Sequence, residues 1–153
     1  FQCPACASYY PILEKLSGEF GDRLAVVYRH LPLPNHPYAK PMAYAAEAAG
    51  LEGKFWEMHD MIFDNQKEWA TQGRIKDTVL EYARILGLNS EQFEKDFESN
   101  EIKQKVERHY QDGVKAGINY TPTFFLNGRK IQNPRNYEEF RSIIIQAIDE
   151  SLR

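Results

Sequence analysis

The two cysteines of the chain, Cys3 and Cys6, constrain what it can fold into more than any other feature. Two residues separate them, and the chain holds no other thiol. A structural disulfide normally closes a longer loop, because closing a longer loop removes more entropy from the unfolded chain and so stabilises the fold more. A tetrahedral zinc site would need two further ligands, and none of the 4 histidines has finger-like spacing to the pair. The pair therefore predicts a redox couple, with a structural or incidental pair as the alternative.

Length and composition predict one domain, or one domain with an insertion. A hydrophobic fraction of 42% over 153 residues is enough for a packed core, which excludes a disordered chain. The formal charge of −3 disfavours a nucleic-acid binder, because such proteins usually carry a basic excess. No apolar run approaches the ~18 residues of a transmembrane helix, so we expect no direct membrane insertion by this chain.

The residues after the first cysteine predict a helix that begins beneath it. Proline is favoured at the first helical position, so Pro4 indicates that Cys3 is the N-cap. Pro11 lies inside the helical pattern and predicts a kink. Helix N-terminal amides favour negative charge at Cys3, and the thiolate is the form that attacks a disulfide. We therefore expect Cys3 to be an exposed nucleophile with a lowered pKa, and Cys6 to be a buried resolving thiol.

The rest of the chain alternates between strand and helix patterns. Residues 24–31 are rich in β-branched and aromatic side chains and predict a strand. An Asn-Gly pair at 127–128 predicts a hairpin between strands at 121–126 and 129–132. Helical spacing of apolar residues predicts helices from Tyr38 onwards, over 54–66, 75–86, 101–116 and 137–152, and a capping box at 89–92 opens one more.

Three segments together resemble the DsbA-like thiol–disulfide oxidoreductases of the thioredoxin superfamily. They are Phe-Gln-Cys-Pro-Ala-Cys at 1–6, Gly-Lys-Phe-Trp-Glu-Met-His at 53–59 and Tyr-Thr-Pro-Thr-Phe-Phe at 120–125. The resemblance covers essentially the whole chain. It implies an α/β, thioredoxin-like fold in which residues 1–35 and 117–153 form the thioredoxin-like part. Residues 36–116 would be an inserted helical subdomain within one domain overall.

The sequence departs from this family at its start. A DsbA-like fold needs a strand immediately before Phe1, in the middle of the sheet, and the sequence begins without it. Any acidic residue that assists proton transfer from beneath the site would lie on that strand. We expect either a longer natural chain or another segment in the gap, and the latter would leave one edge of residues 24–31 open.

The resemblance also implies the roles of the residues around the cysteine pair. Pro122 would be cis and face the pair, whereas without the family a trans bond is expected, since only ~5–6% of X–Pro bonds are cis. The backbone of Thr121 would pair with an extended substrate by strand addition. Pro4 and Ala5 place no charge beside Cys3, so we expect a less oxidising couple than one with histidine there. Simpler interpretations are a strand-initiating proline at 122 and an ordinary β residue at 121.

We also expect Phe1 and Pro4 to contribute to a shallow apolar landing site for unfolded peptide. The resulting prediction is an enzyme that exchanges disulfides with protein or peptide thiols, without a dissociable cofactor or a metal. A redox partner would reset the pair, outside the cytoplasm, where disulfides persist. Oxidase, reductase and isomerase share these parts, so the direction of electron flow stays open.

Two other functions are compatible with the same residues. One is a redox-sensing or peptide-binding DsbA-like module of a larger envelope protein. The other is a glutathione-using isomerase on a related fold with a helical insertion. That group typically has serine at its active position, so the pair of Cys3 and Cys6 argues against it.

Overall fold

The computed structural model describes residues 1–153 as eight α-helices and one β-hairpin. The helices are α1 (Pro4–Phe20), α2 (Ala39–Leu51), α3 (Phe55–Asp64), α4 (Gln66–Gln72), α5 (Ile75–Ile85), α6 (Ser90–Glu98), α7 (Asn100–Lys115) and α8 (Tyr137–Ser151). The hairpin pairs β1 (Phe124–Leu126) with β2 (Arg129–Ile131) in antiparallel register. None of the helices has both the length and the apolar character needed to cross a bilayer.

Helix α1 begins as the sequence predicts. Cys3 is its N-cap in an extended conformation, and Pro4 occupies the first helical position. The helix continues through Pro11. Towards its end Leu16 and Phe20 are buried, and they form a small core cluster with two residues of α8, Phe140 and Ile144. This cluster holds the first and last helices together.

A second and larger core lies among the helices between residues 39 and 106 and includes Phe1. Helix α2 is its centre and contacts α3, α5, α6 and α7. Its alanines, including Ala45 and Ala49, are completely buried, and their small side chains let neighbouring helices approach closely. Larger side chains such as Trp69 and Phe93 fill the space around them.

Residues 24–31 do not form the predicted strand, because the structure contains only the two-stranded hairpin. The segment has the alternating burial of a strand: Leu24, Val26 and Tyr28 are partly buried, whereas Val27 is 76% exposed. What it lacks is a hydrogen-bonded neighbour, which a strand requires by definition. A cleft of about 900 Å³ is lined by this segment and by β1.

Three smaller expectations also differ from the structure. The helix predicted over 54–66 is interrupted at Asn65, whose side chain donates to the Met61 carbonyl, and a separate helix α4 follows. The strand predicted over 121–126 is confined to β1. Only half of the capping box forms: Asn89 Oδ1 accepts the Gln92 N–H, but its own N–H donates to a carboxylate on Glu52 instead.

Candidate functional site

The two cysteines lie together at the N-terminal end of α1, as their spacing requires. They approach each other to 3.7 Å, and both are thiols in this structure. Each side chain is partly buried. Cys3 occupies the N-cap, where the first backbone N–H groups of a helix are free to bind an anion. Cys6 lies about one turn further along, on the side that faces the larger core.

The surroundings of the two thiols favour opposite protonation states. Burial disfavours the thiolate of Cys3, but hydrogen bonds with the Thr121 side chain and with the Cys6 and Ala5 backbone outweigh it and lower the Cys3 pKa. Burial raises the pKa of Cys6 to about 12, and the negative charge on Cys3 adds to that rise. Cys3 is therefore the thiol that ionises more readily, whereas Cys6 stays protonated at neutral pH.

The loop before β1 faces the cysteine pair. The Cys3 thiol donates to the backbone carbonyl of Thr121 over 3.5 Å, although 118 positions separate the two residues in sequence. The Thr121–Pro122 peptide bond is cis. Behind this loop, Asn133 Nδ2 donates to the Pro122 carbonyl over 2.7 Å. The tertiary fold thus brings together Cys3, Cys6, Thr121 and Pro122, four of the seven residues to which the sequence assigned the site.

Phe1 does not lie where the sequence analysis expected it. Its ring is 9% exposed and stacks on Tyr28 at a centroid distance of 5.0 Å. Phe63 and His59 enclose it further, with ring centroids at 5.1 and 5.6 Å. The prediction of an exposed landing surface at Phe1 is wrong, because an apolar ring beside this aromatic core gains more by burial. Pro4 and Ala5 are exposed beside the cysteines.

Two glutamines hold the segment that carries the cysteines, and sequence reasoning missed both. Gln66 Nε2 donates to the carbonyls of Phe1 and Cys3, over 2.5 and 3.0 Å. Gln2 Oε1 accepts the backbone N–H of Tyr38 over 2.7 Å. No motif distinguishes these glutamines from surface ones, because their partners are backbone groups that lie far away in sequence.

A second group of polar side chains lies apart from the cysteines, around Glu47 of α2. One carboxylate oxygen binds His30 Nε2 at 2.9 Å, and the other binds the ammonium of Lys105. His109 Nδ1 accepts the backbone N–H of His30 over 3.3 Å. Although His30, Glu47 and His109 are ligand types for a metal ion, the protein's own groups occupy both oxygens and place a cation beside them. The cluster is a self-satisfied polar network.

The protonation states of this network follow from its contacts. Burial works against the charged form of Glu47, but hydrogen bonds from His30 and Lys105 outweigh it and lower the Glu47 pKa to about 2. Burial lowers the pKa of His30. Burial and the nearby charge of Arg29 lower the pKa of His109 to about 4. At neutral pH the network therefore contains one carboxylate and two neutral imidazoles.

Comparison with known proteins identifies relatives over nearly the whole chain. A family model described as thioredoxin matches residues 1–146. The chain is 37% identical over 139 residues to the Na(+)/H(+) antiporter NhaA 1 of Mycolicibacterium vanbaalenii, an alignment that covers 88% of this chain but 21% of that protein. The chain thus spans about a fifth of the length of the curated relatives it matches.

Solved structures with a similar fold come from bacterial oxidoreductases. A thioredoxin-like oxidoreductase from Silicibacter pomeroyi aligns with a TM-score of 0.75 and 24% identity, over 99% of this chain and 81% of that one. The oxidoreductase DsbA from Xylella fastidiosa aligns with a TM-score of 0.73 and 22% identity, over the same shares of 99% and 81%. Both alignments concern the fold.

Proposed function

The chain belongs to the thioredoxin family, and from that premise we propose that it exchanges disulfides with protein or peptide substrates through Cys3 and Cys6. The observation that carries this proposal is the position of two thiols 3.7 Å apart at a helix N-terminus, with unequal pKa values. The thioredoxin-like fold, which the similar oxidoreductase structures share, supports the same reaction.

In the reducing direction the exchange proceeds in two displacements. The Cys3 thiolate attacks one sulfur of a substrate disulfide, forms a Cys3–substrate mixed disulfide and releases the other sulfur as a thiolate, which takes up a proton. Cys6 then loses its proton and attacks Cys3 Sγ. This step forms the Cys3–Cys6 disulfide and releases the second substrate thiol. Two electrons pass from the protein to the substrate, and the reverse sequence donates the disulfide.

The substrate would lie beside the loop that carries Thr121 and Pro122. Pro122 has no N–H to donate. In the reduced protein the Thr121 carbonyl accepts a hydrogen bond from the Cys3 thiol. Ionisation or oxidation of Cys3 removes that donor, which leaves the Thr121 carbonyl free to pair with an extended substrate segment. Main-chain pairing of this kind would give affinity for many sequences. A separate redox partner would return the pair to its starting state.

We extend the proposal to domain organisation and compartment. Residues 36–116 would be a helical subdomain inserted into a thioredoxin-like part made of residues 1–35 and 117–153. The division of the core into a large helical cluster and a small cluster between α1 and α8 supports it. An extracytoplasmic location is proposed because redox pairs of this kind work where disulfides persist.

The length of the relatives favours a second candidate function. Because the chain matches about a fifth of proteins named as Na(+)/H(+) antiporters, it would serve there as a redox-sensing or peptide-binding module attached to a membrane protein. Such a module does not need turnover of its thiols. The two candidates therefore make different predictions for the redox behaviour of the cysteines.

The deciding experiment is equilibration of the protein with graded glutathione buffers, followed by alkylation and intact mass. The enzyme proposal expects a reversible two-electron transition, with a potential between about −120 mV and about −270 mV. Cys6→Ser should accumulate a mixed disulfide at Cys3, whereas Cys3→Ser should not accumulate one. If no reversible disulfide forms at any glutathione ratio, the enzyme proposal is wrong and the module remains.

A further inference from the structure

We propose that Gln66, at the start of α4, is a positioning residue that sets the reactivity of Cys3. This inference rests on the proposed function. It adds a controlling residue that lies outside the cysteine pair and outside the loop of Thr121 and Pro122. It assigns to the helical region a task at the site, in addition to its role in the core. Gln66 contacts the backbone of the cysteine segment and acts through Cys3.

Both donors of the Gln66 side-chain amide are committed to this segment. A glutamine NH₂ group has two hydrogens, and here the two acceptors are the carbonyls of Phe1 and Cys3, at 2.5 and 3.0 Å. Gln66 is only 7% exposed. Water therefore cannot readily replace either bond, and loss of the donor would leave two carbonyls without that partner.

The contact holds the peptide of the N-cap residue at the start of α1. The Cys3 carbonyl accepts the Ala7 N–H at 3.2 Å, and Gln66 supplies its second bond. Gln66 therefore fixes the peptide that carries the Cys3 thiol.

The contact also affects the charge state of Cys3. The positive N–H end of the Gln66 amide points at the Cys3 carbonyl, on the residue that carries the thiolate, so we expect it to favour the charged form of Cys3. Loss of the donor should raise the Cys3 pKa. Stabilisation of the thiolate stabilises the reduced protein, and a protein whose reduced form is stabilised is a stronger oxidant. Loss of Gln66 should therefore make the couple less oxidising.

Two variants separate hydrogen bonding from packing. Gln66→Met keeps an unbranched side chain of similar size and removes both donors. Gln66→Glu keeps the shape, replaces the donor with an acceptor and adds a negative charge. Gln72→Met is the matched control, since Gln72 lies on the same helix and its exposed amide contacts only Glu68. Circular dichroism establishes whether each variant is folded.

The readout is the pH dependence of Cys3 alkylation, together with the glutathione equilibrium. We expect the midpoint pH of Cys3 alkylation to be lowest in the wild type, higher in Gln66→Met and highest in Gln66→Glu. A shift of about half a unit for Gln66→Met would slow alkylation about threefold at a pH well below the midpoint. The equilibrium constant for oxidation by glutathione should change in the same order, and Gln72→Met should match the wild type.

Unchanged midpoints and equilibrium constants in folded Gln66 variants would overturn the inference, even if their thermal stability falls. A midpoint that falls in Gln66→Glu would also overturn it, because the electrostatic sign would be wrong. Failure of the proposed function is distinguishable, because the wild-type protein itself would then form no reversible disulfide. If Gln66→Glu does not fold, the Gln66→Met result alone decides.

Discussion

At the scale of single residues, the site depends on an asymmetry between two chemically identical side chains. Cys3 and Cys6 are adjacent on one helix, yet the Cys3 pKa is lowered and the Cys6 pKa is raised to about 12. Hydrogen bonds from the Thr121 side chain and from the backbone of the first helical turn favour the Cys3 thiolate, whereas burial disfavours the Cys6 thiolate. The proposed order, in which Cys3 attacks and Cys6 resolves, therefore follows from three-dimensional position.

This asymmetry predicts selective alkylation of the reduced protein. At neutral pH iodoacetamide should modify one thiol, Cys3, because Cys6 remains protonated. The rate should rise with pH and level off below pH 9, the pKa of an unperturbed cysteine. Peptide mapping of the modified protein identifies the residue. Cys6→Ser should react like the wild type, and rapid reaction of Cys3→Ser at neutral pH would contradict the assignment.

Asn133 carries a second prediction at this scale. Its Nδ2 donates to the Pro122 carbonyl, while its buried Oδ1 has no hydrogen-bond partner. Asn133→Asp keeps the shape of the side chain but removes the donor. It should therefore destabilise the protein by about 1–3 kcal/mol. It should also raise KM for a disulfide peptide more than it lowers kcat. Urea unfolding and steady-state kinetics measure both effects. Asn35→Asp, at an exposed position, is the control. Equal changes in stability and KM in the two variants would refute a role for Asn133 in positioning Pro122.

At the scale of elements, residues 24–31 have the side-chain pattern of a strand without the pairing of one. Inward and outward residues alternate, and His30 is anchored at the end by Glu47. The backbone N–H groups of residues 25–29 nevertheless have no acceptor in the chain. The segment therefore lies extended along the cleft, held by its side chains.

Hydrogen exchange tests this description directly. The amides of residues 25–29 should exchange much faster than those of the buried helix α2, because only the helix amides are hydrogen-bonded. Mass spectrometry of peptic fragments after exchange resolves the two segments. Helix α7, which also contacts the segment through its histidine at 109, provides a protected reference. Protection of residues 25–29 equal to that of α2 would mean that a backbone partner is present.

At the scale of the whole molecule, the network around Glu47 joins three distant segments. Glu47 belongs to α2, Lys105 belongs to α7, and His30 ends the extended segment. A buried carboxylate contributes to stability only while its partners remain, because removal of one leaves the others unsatisfied. The helical region and the segment along the cleft are coupled through this one side chain.

The network predicts a specific dependence of stability on pH. The folded pKa of Glu47, about 2, lies below its unperturbed 4.5, so its contribution is complete above pH 4.5 and is lost as the pH falls towards 2. His109, with a folded pKa of about 4 against 6.5, has the same sign: its contribution is lost as the pH falls from 6.5 towards 4. Urea unfolding between pH 7 and pH 3 should show stability falling in both windows.

Glu47→Gln should lower the unfolding free energy at pH 7 by about 2–3 kcal/mol, the usual value of hydrogen bonds to a charged group. It should also flatten the pH dependence below pH 4.5. Glu107→Gln on α7 is the matched control, because Glu107 forms an exposed pair with Lys40; its effect should stay within about 0.5 kcal/mol. Equal losses of unfolding free energy in the two variants would show that the network around Glu47 stabilises the protein no more than an exposed ion pair does.

The sequence by itself determined the local features of this protein. Pro4 after Cys3 predicted the start of α1, and Asn127-Gly128 predicted the hairpin, because both signals depend on backbone conformation within a few residues. The resemblance of residues 1–6, 53–59 and 120–125 to one family also predicted the thioredoxin-like fold, which the family match and the similar structures confirm.

Only the tertiary structure decided which residues meet across long separations in sequence. Gln66 reaches the Cys3 carbonyl and Asn133 reaches the Pro122 carbonyl through contacts with backbone atoms, which leave no trace in residue type. Phe1 is buried because an aromatic core happens to lie beside it. Residues 24–31 have strand composition, but a strand exists only where a neighbour offers hydrogen bonds, and pairing is a property of two segments rather than one.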